Sequence, residues 1–272
     1  MVSFPNCKIN IGLNIVGKRA DGYHNLQTVF YPLAIKDVIE IIEAPEQKEG
    51  ADFSSTGLAV PGSTESNLCI KAYQLLKKDF PHLPPVLMHL HKTIPIGAGL
   101  GGGSADAAFV LQLLNKKFNL GISSQRLMEF ALQLGSDCPF FILNKPCYAT
   151  GRGEIFTPVT VDLFAYKIFL INPGIHISTA LAFSQIIIEK NENNLLEYIS
   201  MPVAAWKDLI INDFEKPVFD AYPELARIKN ELYNKGAIYA SMSGSGSSLY
   251  GIFVADAEPL LDFPAHYFQR WV

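Results

Sequence analysis

Polar and apolar positions alternate strictly from residue 8 to residue 15. Ile9, Ile11, Leu13 and Ile15 fall on one side; Lys8, Asn10, Gly12 and Asn14 fall on the other. A period of two predicts a strand with one apolar and one polar face. The charged turn Gly17–Gly22 ends it, and Leu26–Pro32 and Val38–Ala44 read as further strands. A polar stretch, Pro45–Ser66, precedes a helix over Asn67–Phe80 that Ser66 or Asn67 caps. Val86–Thr93 reads as a strand, and residues 104–118 and about 124–134 as helices, with Gly135 suited to a helix C-terminus. Pro139–Leu143 and Pro146–Thr150 are short apolar or strand-like pieces before the turn Gly151-Arg152-Gly153.

The character of the chain changes after Thr157-Pro158. Tyr166–Asn172 reads as a strand, Ser178–Ile188 as a helix capped by Ser178, and Asn191–Asn194 as a loop. Pro223–Lys235 reads as a helix ending at Gly236, and Ile238–Met242 and Ser248–Val254 as strands. There is no long linker, fixed repeat or low-complexity tract. The pattern predicts a two-lobed α+β protein with lobes over residues 1–157 and 158–272.

Composition narrows the class. With 272 residues, 49% of them hydrophobic and 18% charged, the chain can bury a sizeable core without disulfides. A net charge of −4 argues against a nucleic-acid partner. Cys7, Cys69, Cys138 and Cys147 form no C-x-x-C pair, which fits free thiols in a reducing, cytoplasmic setting. Met1 leads into Pro5 and a polar strand with no pattern of a secretory leader. The apolar run Phe164–Ile177 is broken by Lys167, Asn172, Pro173 and Gly174, too early to span a membrane. His89 and His91 alternate on a strand, but no carboxylate or cysteine stands at metal-ligand spacing, so no metal site of protein ligands is expected.

The chemistry concentrates in Pro95-Ile96-Gly97-Ala98-Gly99-Leu100-Gly101-Gly102-Gly103-Ser104-Ala105. Glycines allow positive φ and close approach of a ligand to the backbone. The helix that follows, N-capped by Ser104 and with Asp106 in its first turn, would present unpaired N–H groups and a positive dipole end. Together these predict a phosphate site. The dinucleotide fingerprint is matched formally by Gly97, Gly99 and Gly102, but the acidic residue it needs about 20 positions later is missing from Leu120–Gln125. In the Walker A frame of Gly97 and Gly102, Gly103 stands where the lysine belongs. A metal ion or a distant lysine must then supply the charge.

Lys8 is the candidate for that cation; the alternative is a solvated polar strand face. Asp137, in Gly135-Ser136-Asp137-Cys138-Pro139-Phe140-Phe141, reads as a general base or orienting group for a substrate hydroxyl, or as a turn or capping aspartate. Ser243-Gly244-Ser245-Gly246-Ser247-Ser248 is a second amide cradle or a flexible hairpin. Asp21-Gly22-Tyr23-His24 offers an aromatic ring and an imidazole to a planar ligand, or is a plain loop.

In order along the chain, Pro5-Asn6-Cys7-Lys8-Ile9-Asn10, the glycine segment and Ser243–Ser248 resemble the three motifs of the galactokinase, homoserine kinase, mevalonate kinase and phosphomevalonate kinase (GHMP) superfamily. The stretch Gly17–Phe30, Gly135–Phe141 and Gly151-Arg152-Gly153-Glu154 resemble its branch acting on a polyol that carries a cytidine diphosphate, in the non-mevalonate isoprenoid route, with ATP and Mg²⁺. The resemblance implies an N-terminal lobe like ribosomal protein S5 domain 2 and a ferredoxin-like C-terminal lobe. It implies Asp137 as catalytic base and Lys8 as its charged partner, with Pro95 through Ala105 around the ATP phosphates. Asn10, Tyr23 and His24, with Gly244, Ser245 and Gly246, would hold the substrate, Tyr23 and His24 on the cytosine. His176 and Phe183 are the candidates for the second cytosine face, and Asn67 and Lys92 for the adenine rim. The resemblance implies a monomer or weak homodimer, without nucleic acid or membrane. The same superfamily also admits a homoserine or mevalonate type of substrate, or a nucleotide-binding sensor without turnover.

Overall fold

The structure is a computed structural model and describes residues 1–44, 50–186, 188 and 194–272, without the side chains of 179–181. The strands are β1 (Val2–Ser3), β2 (Asn6–Lys18), β3 (His24–Lys36), β4 (Val38–Glu43), β5 (Ala51–Gly57), β6 (Val86–Lys92), β7 (Cys147–Thr150), β8 (Ile155–Pro158), β9 (Tyr166–Asn172), β10 (Tyr239–Met242), β11 (Leu249–Val254) and β12 (Phe268–Trp271). The helices are α1 (Leu68–Asp79), α2 (Gly102–Lys117), α3 (Ser124–Leu134), α4 (Cys138–Leu143), α5 (Thr179–Ser184), α6 (Leu195–Tyr198), α7 (Trp206–Leu209), α8 (Glu215–Ala221) and α9 (Pro223–Asn234). The chain is α+β with two lobes, and each compact unit draws on several stretches of sequence. One comprises residues 1–7, 34–96 and 101–145; the other comprises 8–33, 97–100 and 146–272.

In the first unit, β6 lies between β4, antiparallel, and β5, parallel, and β1 closes the far edge. Helices α1 to α3 form over one core. The apolar positions of α1 recur at helical spacing, so Cys69, Ala72, Tyr73 and Leu76 are buried together. Asn67 starts α1 by accepting from the Cys69 N–H (2.8 Å), and Ser123 starts α3 by accepting from Arg126 N–H (3.2 Å). Helix α2 is buried through Ala107, Val110, Leu111 and Leu114, against Met88 and Leu90 of β6 and Phe130 of α3. Two expectations are corrected here. The apolar piece after Asp137 is helix, not strand: Pro139 stands in its first turn, where the missing N–H costs nothing. The polar stretch before α1 contains β5, an edge strand with an exposed face, whose polarity hid it.

In the second unit, β2, β3, β7 and β8 form one sheet in that order. The other sheet has the order β10-β11-β9-β12, with every pair antiparallel. Counted along the chain, that is second, third, first, fourth, which is ferredoxin-like order. Its core joins Ile171, Met242, Leu249 and Phe253 to Leu225, Ile228 and Leu232 of α9 and to Leu13 and Ile15 of β2. Strand β12 was not read from the sequence; it places Trp271 on Phe169, ring centroids 4.9 Å apart. The helix expected over Ser178–Ile188 is the shorter α5, and of the expected loop Asn191–Asn194 only Asn194 lies among the described residues.

The strand read over 8–15 is present, but its polar face is not solvated. Lys8, Asn10 and Asn14 are as buried as the isoleucines between them. Buried polar groups require partners: Asn14 Nδ2 donates to Asp213 Oδ1 (3.3 Å), and those of Lys8 and Asn10 are described below.

Candidate functional site

The second unit gathers the three motifs around one residue, Gly99. It has φ +77°, and a Cβ there would lie 2.0 Å from the carbonyl oxygen of Ser243 and 3.2 Å from that of Gly246. Only glycine allows the two loops to meet so closely. The Gly99 carbonyl accepts from the Ser243 hydroxyl (2.8 Å) and from the Lys8 ammonium (3.2 Å). Lys8 also donates to Asn10 Oδ1 (2.6 Å), and its ammonium lies 5.0 Å from the centre of the Phe30 ring. Asn10 in turn donates through Nδ2 to the Thr28 hydroxyl (2.9 Å), which donates to the Gly12 carbonyl (2.6 Å). The backbone ties are equally direct: Lys8 N–H to Leu100 carbonyl (3.0 Å) and Ser248 N–H to Ala98 carbonyl (3.1 Å).

Residues 243–248 are therefore not a loose hairpin. Asn172 Nδ2 donates to the hydroxyls of Ser247 (3.0 Å) and Ser248 (3.1 Å), and Ser247 donates to the Ile175 carbonyl. Asn212 Nδ2 bridges the carbonyls of Met242 and Gly244, 2.8 Å each. Gly244 and Gly246 are buried, with Ser245 between them half-buried. Thr28 and Phe30, though inside the stretch Gly17–Phe30, and Asn172 and Asn212 were not read as site residues; a buried asparagine beside a glycine loop is recognisable only once the loop's carbonyls are seen to need donors.

An aromatic group forms in the same unit. The His24 ring stacks on Phe183, centroids 4.9 Å apart at 21°, and Phe183 meets the buried Phe214 edge-on at 4.8 Å. Tyr23 is 55% exposed, with the Arg152 guanidinium 4.9 Å from its ring centre. His176 is exposed, 3.5 Å from where a Cβ on Gly97 would stand.

The first unit contains the other half of the glycine segment. Pro95 is half-buried before the loop. Helix α2 starts at Gly102, two residues earlier than expected, from Gly101 at φ +69° with no side-chain cap. Ser104 is thus inside the helix, where it shares a hydrogen bond with the Cys138 thiol, and Ala105 is fully buried. The glycines let the backbone amides themselves face the open end of α2, which is what an anion site at a helix start requires. Asp137 stands half-buried at the start of α4 and does not cap it with its side chain.

Asp106 does not serve the helix dipole. It turns inward to Lys92, whose ammonium donates to Asp106 Oδ2 (2.7 Å) and to Asp37 Oδ2. Asp37 is otherwise satisfied by the N–H groups of Thr93 (2.6 Å) and Ile94 (2.9 Å). The ammonium comes within 3.0 Å of the place a Cβ on Gly102 would take. With 2% exposure and two carboxylate partners, Lys92 is no rim residue of an adenine pocket, and Asn67 is the α1 cap. Burial alone would pull the Lys92 ammonium down, but the two carboxylates carry it above the usual range. For Asp106 burial dominates, and it pushes the carboxyl up to about 7 against the pull of Lys92. Its Oδ1 is buried with no hydrogen-bond partner among the described residues. His89 and His91 sit on the outer face of β6, bonded to Ser54 and Thr56 hydroxyls, and among the described residues no three potential ligands cluster to hold a metal. All four cysteines are buried free thiols, and no described helix is long and apolar enough to cross a membrane.

The sequence matches the GHMP kinases N terminal domain over residues 67–145 and the GHMP kinases C terminal domain over 200–265. By fold and motif it is of the GHMP kinase class. The 4-diphosphocytidyl-2-C-methyl-D-erythritol kinase of Bacteroides fragilis is 52% identical over 97% of both chains. That of Chlorobium chlorochromatii is 39% identical over 92% of this chain and 88% of its own. A crystal structure of 4-(cytidine 5'-diphospho)-2C-methyl-D-erythritol kinase, 28% identical, superposes with a TM-score of 0.80 over 94% of this chain and 91% of that one. Methanococcus jannaschii mevalonate kinase shares the fold at 13% identity, with a TM-score of 0.70 over 94% and 92% of the two chains. The chain belongs to the 4-diphosphocytidyl-2-C-methyl-D-erythritol kinase family.

Two outcomes follow from this geometry. Gly99→Ala places a methyl against backbone at both φ and distance, so the loop must move; the KM for nucleotide should rise at least about tenfold and stability fall by about 1–3 kcal/mol, read by steady-state kinetics and urea unfolding. Asp106 retains its proton in the native state to about pH 7, whereas an unfolded aspartate releases it near pH 4. Between those values the native state binds more protons, so this group's contribution to stability falls as pH rises. Asp106→Asn removes that dependence, so its melting temperature relative to the parent should climb from pH 4 to pH 8.

Proposed function

We propose that this chain transfers the γ-phosphoryl group of Mg·ATP to the 2-hydroxyl of 4-diphosphocytidyl-2-C-methyl-D-erythritol, giving the 2-phosphate and ADP in the non-mevalonate route to isoprenoid precursors. The observation that carries the choice of acceptor is the group Tyr23, His24 and Phe183, an aromatic set of the kind a nucleobase needs and homoserine or mevalonate does not. Phe183 is the better candidate than His176 for the second face of cytosine. It already stacks on His24 and is backed by Phe214, whereas His176 is turned to Gly97.

In this reading the amides of Gly101 to Gly103, at the start of α2, take the nucleotide phosphates, and Mg²⁺ arrives on those phosphates with its own waters. Pro95 and Gly97 to Leu100 shape the approach, and Ser104 and Ala105 continue the loop into the helix. Lys8 supplies the positive charge that Gly103 cannot. Asn10 and Gly99 contribute oxygens that orient its ammonium. Asp137 accepts the proton of the 2-hydroxyl. Asn10, with Gly244, Ser245 and Gly246, fixes the acceptor. Phosphoryl transfer asks little covalent chemistry of the protein, so positioning and charge carry the rate. The enzyme so described is cytoplasmic, a monomer or weak homodimer, and acts on a small molecule rather than on nucleic acid or a membrane.

ADP release from Mg·ATP should require 4-diphosphocytidyl-2-C-methyl-D-erythritol and should not appear with homoserine or mevalonate. Release with either of those instead would overturn the cytosine assignment, and nucleotide binding without release would make the chain a sensor. With the active acceptor, Asp137→Asn should lower kcat by about 10²–10⁴-fold while the KM for ATP stays near the parent's; turnover at the parent rate would remove Asp137 as the base.

A further inference from the structure

The turn Gly151-Arg152-Gly153-Glu154 has no part in the chemistry above, yet its side chains are arranged with care. Gly151 has φ +70°, and a Cβ there would lie 2.8 Å from Glu154 Oε2. Glycine is what lets the Glu154 carboxylate fold back over the turn. That carboxylate accepts from the Arg152 N–H (2.5 Å) and pairs with its guanidinium at 3.7 Å. The Gly151 carbonyl accepts from Leu26 N–H (2.8 Å), so the turn is anchored to β3, the strand that follows Tyr23. The guanidinium lies over the Tyr23 ring, 4.9 Å from its centre.

Exposure gives the direction of support. The Arg152 side chain is 28% exposed and Glu154 17%, whereas Tyr23 is 55% exposed. A tethered cation thus backs a ring that otherwise stands in solvent. The backbone beneath that ring is fixed independently: Asp21 accepts from Tyr23 N–H (3.1 Å) and pairs with Arg19 at 3.0 Å. An exposed tyrosine with free χ1 and χ2 would lose rotamer entropy on stacking against a ligand. One whose ring is already held by a cation has that cost removed beforehand, and the attraction strengthens when a ligand excludes water from the ring.

We propose that Arg152 is a positioning residue for the cytidyl group: it presets the Tyr23 ring for stacking on the base, and Glu154 sets Arg152. This rests on the reading that Tyr23 holds cytosine. Its consequence is confined to the cytidine end of the acceptor. Arg152 acts on binding of the base and leaves phosphoryl transfer and nucleotide binding alone.

Calorimetry with cytidine 5'-diphosphate tests it directly. Arg152→Ala should weaken binding by about three- to tenfold, the range of an exposed to partly desolvated cation–π contact. The KM for the acceptor should rise by a similar factor, with kcat and the KM for ATP unchanged. Arg152→Lys should recover part of the loss, and Glu154→Gln, which keeps the arginine but loosens it, should show a smaller effect of the same sign. In the Tyr23→Ala background, Arg152→Ala should add nothing. Parent-like binding by Arg152→Ala, or effects that add fully in the double variant, would overturn the proposal while leaving the cytosine reading intact. A parent protein that does not bind cytidine 5'-diphosphate would overturn both.

Discussion

The close meeting of Gly99 with the Ser243–Gly246 backbone is the constraint on which the second unit's part of the site depends. It requires a residue without a Cβ at positive φ, and it brings a carbonyl oxygen to the point where the Lys8 ammonium and the Ser243 hydroxyl converge. Motifs separated by about 90 and 145 residues of chain meet there by the sequence distances of those two bonds, 91 and 144. Asn172 and Asn212 then secure the serine loop from outside. On the polar face of β2, Lys8 and Asn10 are buried within this network and Asn14 against Asp213: a lysine and two asparagines on a core strand are tolerable only when every one of them has a partner.

The two units treat a buried lysine in different ways. Lys92 sits between two carboxylates, so its charge is cancelled and the surplus falls on Asp106, whose proton affinity rises. Lys8 donates to an amide oxygen and a carbonyl, which fix the direction of its ammonium. The first arrangement suits a strut beneath the start of α2; the second ties β2 to the glycine loop at Gly99.

Much of this was legible in the chain. The glycine segment, Lys8 and the serine loop were readable because each has a physical reason to look unusual: too many glycines, a cation at the end of an alternating strand, small residues between strands. Strands β6, β9 and β11 and helices α1, α3 and α9 follow from period and capping alone. What was hidden had no local signal. Strand β5 is polar because it is an edge, and β12 is four residues long with Gln269 and Arg270 at its centre. Ser104 looked like an N-cap, but three glycines before it allowed α2 to begin sooner. Lys92 looked like a surface rim residue, because nothing near it in sequence announces Asp37, 55 positions away.

The interleaving of the two units has a consequence for synthesis. The chain passes from one unit to the other after residues 7, 33, 96, 100 and 145. The first unit has all its sequence once residue 145 has been made, while the second, whose β2 and β3 are among the earliest strands translated, lacks β12 until residue 271. At ordinary elongation rates that delay is on the order of ten seconds. Within it, Leu13 and Ile15 of β2 gain the side chains that bury them in the finished protein only stepwise, as β9, α9, β10 and β11 are completed at residues 172, 234, 242 and 254. The nascent chain therefore carries an apolar strand that still awaits partners after the first unit has all its sequence, and that strand is where a holding chaperone has something to grip.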